Sequence, residues 1–436
     1  VLERSSLELM PDGNVAALDP EGIRSEVERL GLDGMRVLAM AFKELPAGTA
    51  HLTHGDLVSG LVFIGLAGMI DPPRPEAVQA VNAFHRAGVE VKMITGDHAV
   101  TAAAIGVQLG LGIETCPGRP TCQVLTGADM ARMSDEELVG RAADTTVFAR
   151  VAPDQKLRLV MALQSRGEIV AMTGDGVNDA PALKQADIGV AMGKGGTEAA
   201  KEAADMILTD DNFATIEAAV EEGRGVYDNL LKFIVWTLPT NVGEGLVILV
   251  AVLLGVALPI LPVQILWINM TTAGCLGLML AFEPKEPGLM DRPPRDPAMP
   301  ILDTELIIRI LLVGGILLLA AFGLYEWELQ TTGHQEQART VAVNVFVMVE
   351  AFYLFNSRSF VRSPFALGFW TNPWVVGGFF LMIALQLAFT YVPFMNTLFG
   401  SAPIDLLPWL KIVGASVVAF AIIEAEKWVR NRPVKA

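Results

Sequence analysis

The chain has 436 residues, of which 52% are hydrophobic and 18% are charged. This is too apolar for an ordinary soluble enzyme and too charged for a protein buried wholly in lipid, so a soluble part joined to a membrane part is expected. The formal charge of −16 argues against nucleic acid as a partner, because phosphate backbones call for a basic face. The three cysteines, Cys116, Cys122 and Cys275, form neither a disulfide framework nor a zinc pattern and suit a reducing cytosol.

The first 60 residues predict the tail of a mixed α/β unit, with a helix near Ile23 to Leu30 and a strand over Met35 to Phe42. An apolar run, Leu57 to Met69, then leads into Asp71-Pro-Pro-Arg74-Pro, whose prolines force extended backbone before a helix at Glu76 to Ala87. The chain begins at Val1 without an initiator Met or a signal-like apolar run. We therefore expect it to be part of a longer polypeptide.

Strands and helices alternate from residue 89 onward, which predicts an α/β fold with a doubly wound parallel sheet. The predicted strands are Val89 to Ile94, Val147 to Arg150, Ile169 to Met172, Ile188 to Met192 and Asp205 to Thr209, and the main helices are Ala99 to Leu109 and Gln155 to Ser165.

Polar groups follow three of these strands, at the sheet edge where open α/β folds bind ligands. Thr95 and Gly96 precede a helix N-terminus and form the beginnings of a phosphate cradle. Lys156 is suited to neutralising a transferring phosphoryl group. Two nearby carboxylates, Asp175 and Asp179, would repel each other without a cation, and oxygen ligation suits Mg²⁺. The sequence therefore predicts a phosphoryl-transfer site.

The stretch from Met172 to Leu183, Met-Thr-Gly-Asp-Gly-Val-Asn-Asp-Ala-Pro-Ala-Leu, resembles the hinge motif of the P-type ATPases, and the preceding strands resemble their haloacid-dehalogenase-like phosphorylation domain. The resemblance implies ATP and Mg²⁺ as cofactors. It further implies that Asp175 ligates Mg²⁺, that Lys156, Thr95 and Gly96 hold the phosphoryl group, and that Asn178 and Asp179 shape the site. By the same resemblance Arg36, Asp97 and Arg150 surround the nucleotide, and Asp71 to Arg74 match a family motif.

One departure from the family concerns the nucleophile. The family carries it in Asp-Lys-Thr-Gly-Thr, and no Asp-Lys-Thr occurs in these 436 residues. We therefore expect the chain alone to be unable to form the aspartyl phosphate. The family's actuator domain, first four membrane helices and most of the nucleotide domain also have no counterpart here.

Six apolar segments in the second half are long enough to span a membrane. They are Asn229 to Val256, Leu261 to Phe282, Glu305 to Trp327, Val341 to Phe355, Pro373 to Met395 and Trp409 to Trp428. Basic residues cluster on one side, at Arg224, Lys232, Lys285, Arg292, Arg295, Arg358, Arg362, Lys427, Arg430, Arg432 and Lys435, whereas the other loops hold only Arg339. The positive-inside rule then predicts three hairpins with both ends in the cytoplasm. We expect a multi-pass plasma-membrane protein with its phosphorylation domain and C-terminus in the cytoplasm.

Polar residues inside such spans are costly and usually functional. In the first span Pro239 frees the carbonyl of Val235, and Asn241 and Glu244 lie three residues apart. The second span carries Asn269, Thr271 and Thr272, and the fourth carries Glu350. Carboxylates, amides and hydroxyls at this depth favour a hard cation bound by oxygen.

These spans resemble the last six helices of the P2-type pumps, the calcium and sodium/potassium class, including the segment Pro262-Val-Gln-Ile-Leu-Trp-Ile-Asn269. The resemblance implies transported-cation ligands at Asn241, Glu244, Asn269, Thr272 and Glu350. Ala273 departs from the pattern, because the family's intramembrane aspartate belongs there.

The sequence thus predicts the end of a nucleotide-binding domain at residues 1–60, a phosphorylation domain at 61–225 and six transmembrane helices at 226–436. We expect the C-terminal part of an ATP-driven cation pump that works with a missing N-terminal half, with Ca²⁺ favoured and a monovalent cation second. Two alternatives remain: a soluble-type phosphohydrolase fused to a membrane anchor, and a non-catalytic ion-binding half of a split pump.

Overall fold

The computed structural model describes residues 1–32, 34–45, 51, 53–111 and 124–431. Cys116, Cys122, Arg432 and Lys435 lie outside these ranges. The chain divides into two compact units, Val1–Val220 with Met290–Pro294 and Glu221–Leu289 with Arg295–Ala436. The domain limits expected at 60/61 and 225/226 remain predictions.

The first unit opens with a four-stranded mixed sheet in the order β2-β1-β4-β3. The β1 and β4 strands are parallel, and the other two pairings are antiparallel. The helix between β2 and β3 is α1, Pro20–Leu32. The strands are β1 Ser5–Leu9, β2 Val15–Ala17, β3 Arg36–Phe42 and β4 Leu61–Met69.

Six shorter strands follow and form two three-stranded parallel sheets, in the orders β5-β7-β6 and β8-β9-β10. The strands are β5 Met93–Thr95, β6 Val124–Thr126, β7 Val147–Ala149, β8 Ala171–Gly174, β9 Ile188–Met192 and β10 Met206–Leu208. The predicted parallel α/β fold is confirmed, but its strands pair as two sheets rather than one. Within the described residues β5 and β8 are edge strands, each paired on one side.

Strand β5 is shorter than the sequence predicts, because the preceding helix ends in a turn that extends to Val89 and the next three residues do not pair with β7. Gly88 adopts a φ of +70°, and the Val89 amide donates a hydrogen bond back to the Phe84 carbonyl. This closure at a left-handed glycine is a common helix stop. Pairing with β7 begins only at Met93.

The helices of this unit surround three small cores among the described residues, and two of these cores share Ile94 of β5. One core centres on Phe148 and Leu159, and the other on Met172 and Leu183. Ile94 therefore holds β5 next to the core under β8. The helices are α2 Pro75–Arg86, α3 Ala99–Gln108, α4 Gly127–Met130, α5 Asp135–Asp144, α6 Pro153–Gln164, α7 Ala180–Gln185 and α8 Glu198–Ala203, with short 3₁₀ turns at Leu2–Arg4, His54–Leu57 and Val177–Asp179.

The second unit is helical, and among the residues that the structure describes six helices are long and apolar enough to cross a membrane, as predicted. Helix α12, which contains the fourth predicted span, is the most deeply buried, with 83% of its apolar window covered by its neighbours. The helices are α9 Ala214–Leu254, α10 Pro262–Cys275 with a 3₁₀ continuation at Gly277–Phe282, α11 Thr304–Thr332, α12 Gln335–Ser357, α13 Pro364–Leu367, α14 Pro373–Tyr391, α15 Pro393–Phe399 and α16 Leu406–Arg430.

Pro239 lies inside α9 without ending it. The carbonyl of Val235, which the proline leaves without its helical donor, accepts a hydrogen bond from the Tyr353 hydroxyl at 2.8 Å. A side chain of α12 therefore satisfies the backbone group that the sequence predicts to be free. This bond joins the two helices that carry Glu244 and Glu350.

Close packing between α10 and α14 gives a test of the bundle. A Cβ atom on Gly378 would collide with the carbonyl oxygen of Cys275, whereas one on the adjacent Gly377 meets nothing within 4 Å. We expect Gly378→Ala to lower the free energy of unfolding by roughly 1–3 kcal/mol through overpacking. Gly377→Ala, the matched control, should be neutral or slightly stabilising because alanine favours helix. Equal thermal stabilities of the two variants in detergent would contradict this packing.

Candidate functional sites

Asp179 organises the loop that follows β8. Its Oδ1 accepts a hydrogen bond from Lys156 Nζ on α6 at 2.6 Å. Its Oδ2 accepts the backbone amides of Asp175 and Gly176 at 3.3 and 3.1 Å. Lys156 and Asp179, predicted as site residues, are therefore brought together, and their bond fixes the backbone on which Asp175 sits.

Gly174 is required for this arrangement. A Cβ atom at Gly174 would lie 2.5 Å from the Cβ of Asp179, so no larger residue can pack there without moving the loop. The glycine thus lets the buried carboxylate approach the end of β8. This explains in steric terms why the motif begins with Thr-Gly.

The hydrogen-bond partners of Asp179 stabilise the ionised form of its carboxyl group. Burial acts to raise the pKa of its carboxyl, but the hydrogen bonds from Lys156 and Gly176 outweigh burial, and the pKa lies below its ordinary value. The carboxylate is therefore ionised at neutral pH. It neutralises Lys156 in the resting site and keeps the ammonium at the sheet edge.

The turn after β5 is also pre-organised. The Thr95 hydroxyl donates to Asp97 Oδ2 at 2.9 Å and accepts the Asp97 amide at 3.1 Å. The helix α3 begins two residues later, at Ala99. This leaves the amide of Gly96 and the start of α3 at the edge where a phosphate is expected.

A cavity of about 560 Å³ brings together four of the predicted residues, Arg36, Gly96, Asp97 and Arg150. Arg150, which follows the end of β7, lines this cavity and has a backbone φ of +52°. A positive φ is uncommon for a residue other than glycine, and such residues cluster at functional sites. The volume lies in the range of small-molecule sites. Positive and negative side chains therefore converge from three separate strand ends.

The same cavity is lined by residues that sequence reasoning missed, among them Glu28, His98 and Thr101. His98 directly follows the Thr-Gly-Asp motif and Thr101 lies in the first turn of α3, so their position next to the motif could have indicated them. Asp71 and Arg74 lie instead on the connector between β4 and α2, where Arg74 Nη1 donates to the Asp211 carbonyl at 3.4 Å.

Mg²⁺ is usually held by one or two carboxylates together with waters and substrate phosphates. Asp175 is exposed at the end of β8, beside the loop that Asp179 fixes. No group of three or more His, Cys, Asp or Glu side chains forms a metal cluster in the part of the chain that the structure describes. A single exposed carboxylate fits Mg²⁺ that arrives with a phosphate ligand. Asn178, also exposed, lies in the same loop.

The helical unit holds a second polar site, formed by α9, α10 and α12. Glu244 is 4% exposed, and its Oε2 accepts a hydrogen bond from Asn269 Nδ2 at 2.7 Å. Glu350 is 1% exposed and lies near Glu244 and Thr272. The Thr272 hydroxyl donates to the Ile268 carbonyl at 2.9 Å. Four of the five predicted cation ligands are thus gathered in one place.

One oxygen of each carboxylate, Glu244 Oε1 and Glu350 Oε2, has no hydrogen-bond partner among the described residues. Buried polar atoms are normally paired, so orphaned oxygens mark a place for a ligand or a proton. The fifth predicted ligand, Asn241, is exposed on α9, and Ala273 is exposed on α10.

The Lys156–Asp179 pair yields a stability prediction. We expect Lys156→Met to lower the free energy of unfolding by roughly 1–3 kcal/mol at pH 7, because it leaves a buried carboxylate without its cation. The pKa of Asp179 is lower in the folded protein than in the unfolded chain. The ion pair therefore stabilises the fold fully at pH values above the ordinary carboxyl pKa, and this stabilisation is lost as the pH falls through the pKa of the folded state. The cost should therefore be constant from pH 7 to about pH 4 and shrink as the pH falls below the ordinary carboxyl pKa of 3.8. Urea unfolding of the whole chain at several pH values measures this free-energy difference. Lys184→Met, at an exposed lysine, is the control. A cost that does not change with pH would contradict the ion pair.

Four family models match successive parts of the chain. They describe a P-type ATPase cytoplasmic domain N over residues 1–76, haloacid dehalogenase-like hydrolases over 41–187 and 157–219, and a cation transporting ATPase C-terminus over 257–429. The two hydrolase matches cover the parallel sheets, and the C-terminus match covers most of the helical unit.

Curated relatives match nearly the whole chain. A probable cation-transporting ATPase F of Mycobacterium tuberculosis is 54% identical over 427 residues, covering 98% of this chain and 47% of the relative. The cation-transporting ATPase pma1 of Synechocystis is 48% identical, with 96% and 47% coverage. A calcium-transporting ATPase of Bacillus subtilis is 37% identical, with 99% and 48% coverage. The chain spans about half the length of these relatives, and it belongs to the P-type cation-transporting ATPase family.

Proposed function

We propose that this chain is the C-terminal part of an ATP-driven cation pump with Ca²⁺ as its favoured cargo. The observation that carries the proposal is the coexistence of two sites in one chain. One is a phosphoryl-type sheet edge with Lys156 and Asp175, and the other is a pair of buried carboxylates, Glu244 and Glu350, inside apolar helices. A membrane-anchored phosphohydrolase has no need for the second site, and an ion-binding protein has no need for the first.

The nucleophile of the proposed pump lies outside these 436 residues. Strands β5 and β8 each pair on one side among the described strands, while Ile94 of β5 packs into two of the cores. We propose that a parallel strand from the half of the protein that this chain does not span pairs with both edges. That strand would carry the aspartate that becomes phosphorylated, between Thr95 and Asp175.

In this scheme ATP with bound Mg²⁺ supplies the phosphoryl group. Arg36, Asp97 and Arg150 hold the nucleotide in the cavity between α1 and the end of β7. Lys156 offsets negative charge that develops on the transferring group, and Asp179 keeps the ammonium in position. Asp175 provides the carboxylate for the metal. Preorganised charge and alignment supply most of what phosphoryl transfer needs.

For the cargo, Ca²⁺ prefers six to eight oxygen ligands, with carboxylates among them. Glu244, Asn269, Thr272 and Glu350 offer side-chain oxygens within the helical unit, and two carboxylates neutralise one divalent cation. Relatives named as calcium-transporting ATPases support this cargo. Ala273, which adds no carboxylate, favours a monovalent cation as the second candidate.

We propose a plasma-membrane location with the first unit in the cytoplasm. Three of the basic residues counted on that side, Lys232, Arg358 and Lys427, are buried beside acidic partners, at 3.5 Å from Glu286, 2.8 Å from Glu283 and 3.4 Å from Glu424. Their charges are offset within the protein. The orientation therefore depends on the remaining basic residues, including Arg295 and Arg362.

The phosphoryl-transfer role is tested by Asp175→Asn in the full-length protein that carries this chain. We expect phosphoenzyme formation from Mg²⁺ and ATP to fall by roughly 100-fold or more, because the carboxylate for the metal is lost. The fold should be unaffected, since Asp175 is exposed. Glu168→Gln, an exposed acid three residues before the start of β8, is the control and should label normally. Unchanged labelling of Asp175→Asn would refute the role.

The cation site is tested by Glu244→Gln in the same protein. We expect the Ca²⁺ concentration for half-maximal ATP hydrolysis to rise about tenfold or more, because one of two buried carboxylates becomes neutral. Phosphorylation by inorganic phosphate without Ca²⁺ should persist, which shows that the protein is folded. Glu336→Gln, at the exposed start of α12, serves as control. If both variants respond to Ca²⁺ like the wild type, Glu244 is not a ligand.

A further inference from the structure

A buried polar network lies where α10, α12 and α14 meet, two helical turns from the proposed cation site. Arg358 directly follows α12 and is 0% exposed. Its Nη2 lies 2.8 Å from Glu283 Oε1, and its Nε donates to both oxygens of Glu283 at 3.0 and 3.2 Å. Glu283 in turn directly follows the 3₁₀ continuation of α10.

Every remaining donor of Arg358 is satisfied. Nη1 donates to the carbonyls of Gly368 and Phe369 at 3.0 and 3.3 Å, and Nη2 also donates to the Thr371 hydroxyl at 2.5 Å. A planar guanidinium with all its donors committed admits one arrangement of its partners. The network therefore fixes geometry as well as holding elements together.

Asn372 connects the ion pair to α14. Its Nδ2 donates to Glu283 Oε2 at 2.8 Å and to the Met279 carbonyl at 3.3 Å. Its Oδ1 accepts the amides of Trp374 and Val375 at 3.0 and 3.3 Å, which caps the start of α14. One cluster of side chains thus ties the ends of α10 and α12 to the beginning of α14.

The α10 segment needs such an anchor. Its α-helix ends at Cys275, Leu276 has φ −113° and ψ −61°, and a 3₁₀ turn follows. The ligands Asn269 and Thr272 lie before this break and Glu283 lies after it. Since the helix is not continuous, helical hydrogen bonds alone do not fix the position of its ligands relative to Glu350 on α12.

We propose that Glu283, Arg358 and Asn372 are positioning residues that set the register of α10 against α12 and so determine cation affinity. Apolar residues of similar volume stabilise a protein core as well as a buried ion pair does, so the distinctive contribution of the pair is a unique register. Glu350 lies eight residues before Arg358, about 12 Å along the helix. A shift at the network therefore moves Glu350 relative to Asn269 and Thr272. This inference rests on the proposed cation-pump function.

The test uses the full-length protein with the double variant Glu283→Leu/Arg358→Met, which removes both charges together. We expect it to fold and to be phosphorylated by inorganic phosphate as the wild type is. The Ca²⁺ concentration for half-maximal ATP hydrolysis should rise at least fivefold, while the maximal rate changes less than twofold. A merely structural brace would lower thermal stability without this separation of affinity from rate.

The matched control is Glu328→Gln/Lys411→Met, which removes an ion pair of 3.8 Å between α11 and α16. It should leave the Ca²⁺ dependence within twofold of wild type. Should the first double variant fail to fold, Asn372→Ser decides the matter, because serine still caps α14 but no longer donates to Glu283. We expect it to raise the required Ca²⁺ about threefold.

Folded variants with wild-type Ca²⁺ dependence would overturn the positioning role alone. Wild-type protein that hydrolyses ATP without any response to Ca²⁺ would overturn the proposed cargo and this inference with it. The two failures are therefore distinguished by the wild-type titration in the same experiment.

Discussion

Two carboxylates buried among apolar helices are the constraint on which this account depends. Glu244 and Glu350 are 4% and 1% exposed, and each keeps one oxygen without a hydrogen-bond partner among the described residues. An unpaired charge in such surroundings is costly, so the site requires either a cation or a proton. Three interactions hold the surroundings of this site in place. Asn269 orients Glu244, and Tyr353 donates to the carbonyl that Pro239 leaves unpaired. The Glu283–Arg358 pair joins the ends of the ligand-bearing helices. We interpret the bundle as a scaffold that holds this costly arrangement in one geometry.

The first unit solves a related problem by pairing a buried carboxylate with a cation. Lys156 and Asp179 neutralise each other at 2.6 Å, and the same carboxylate fixes the amides of the loop that carries Asp175. Arg36, Asp97 and Arg150 converge on one cavity from separate elements. Such pre-set groups suit phosphoryl transfer, in which alignment and electrostatics supply most of the rate. A pump needs both kinds of site in one protein, because ATP hydrolysis at the sheet edge must change the cation affinity of the site between the helices.

The sequence was sufficient for the features that depend on local pattern. Alternating apolar runs predicted the parallel strands, and long apolar segments predicted the six candidate spans. It did not predict that the parallel strands pair as two sheets, because pairing depends on which strands are neighbours rather than on any local pattern. Strand β5 begins later than predicted because the preceding helix ends in a turn at Gly88, which has a positive φ. Asn241 is exposed because it lies on a face of α9 that the other helices do not cover. The place of Glu28 in the cavity and the buried ion pair of Arg358 with Glu283 were missed, because the residues that they meet lie far away in the chain and no spacing reveals them.

The most direct test of the central claim is cation-stimulated ATP hydrolysis by the full-length protein reconstituted in vesicles, with Ca²⁺ titrated against Na⁺, K⁺ and Mn²⁺. We expect stimulation by micromolar Ca²⁺ together with Ca²⁺ movement across the vesicle membrane. Stimulation by a monovalent cation alone would contradict the Ca²⁺ assignment and point to Ala273 as the residue that changes the cargo. Hydrolysis that no cation stimulates would contradict the account of Glu244 and Glu350 as a transport site.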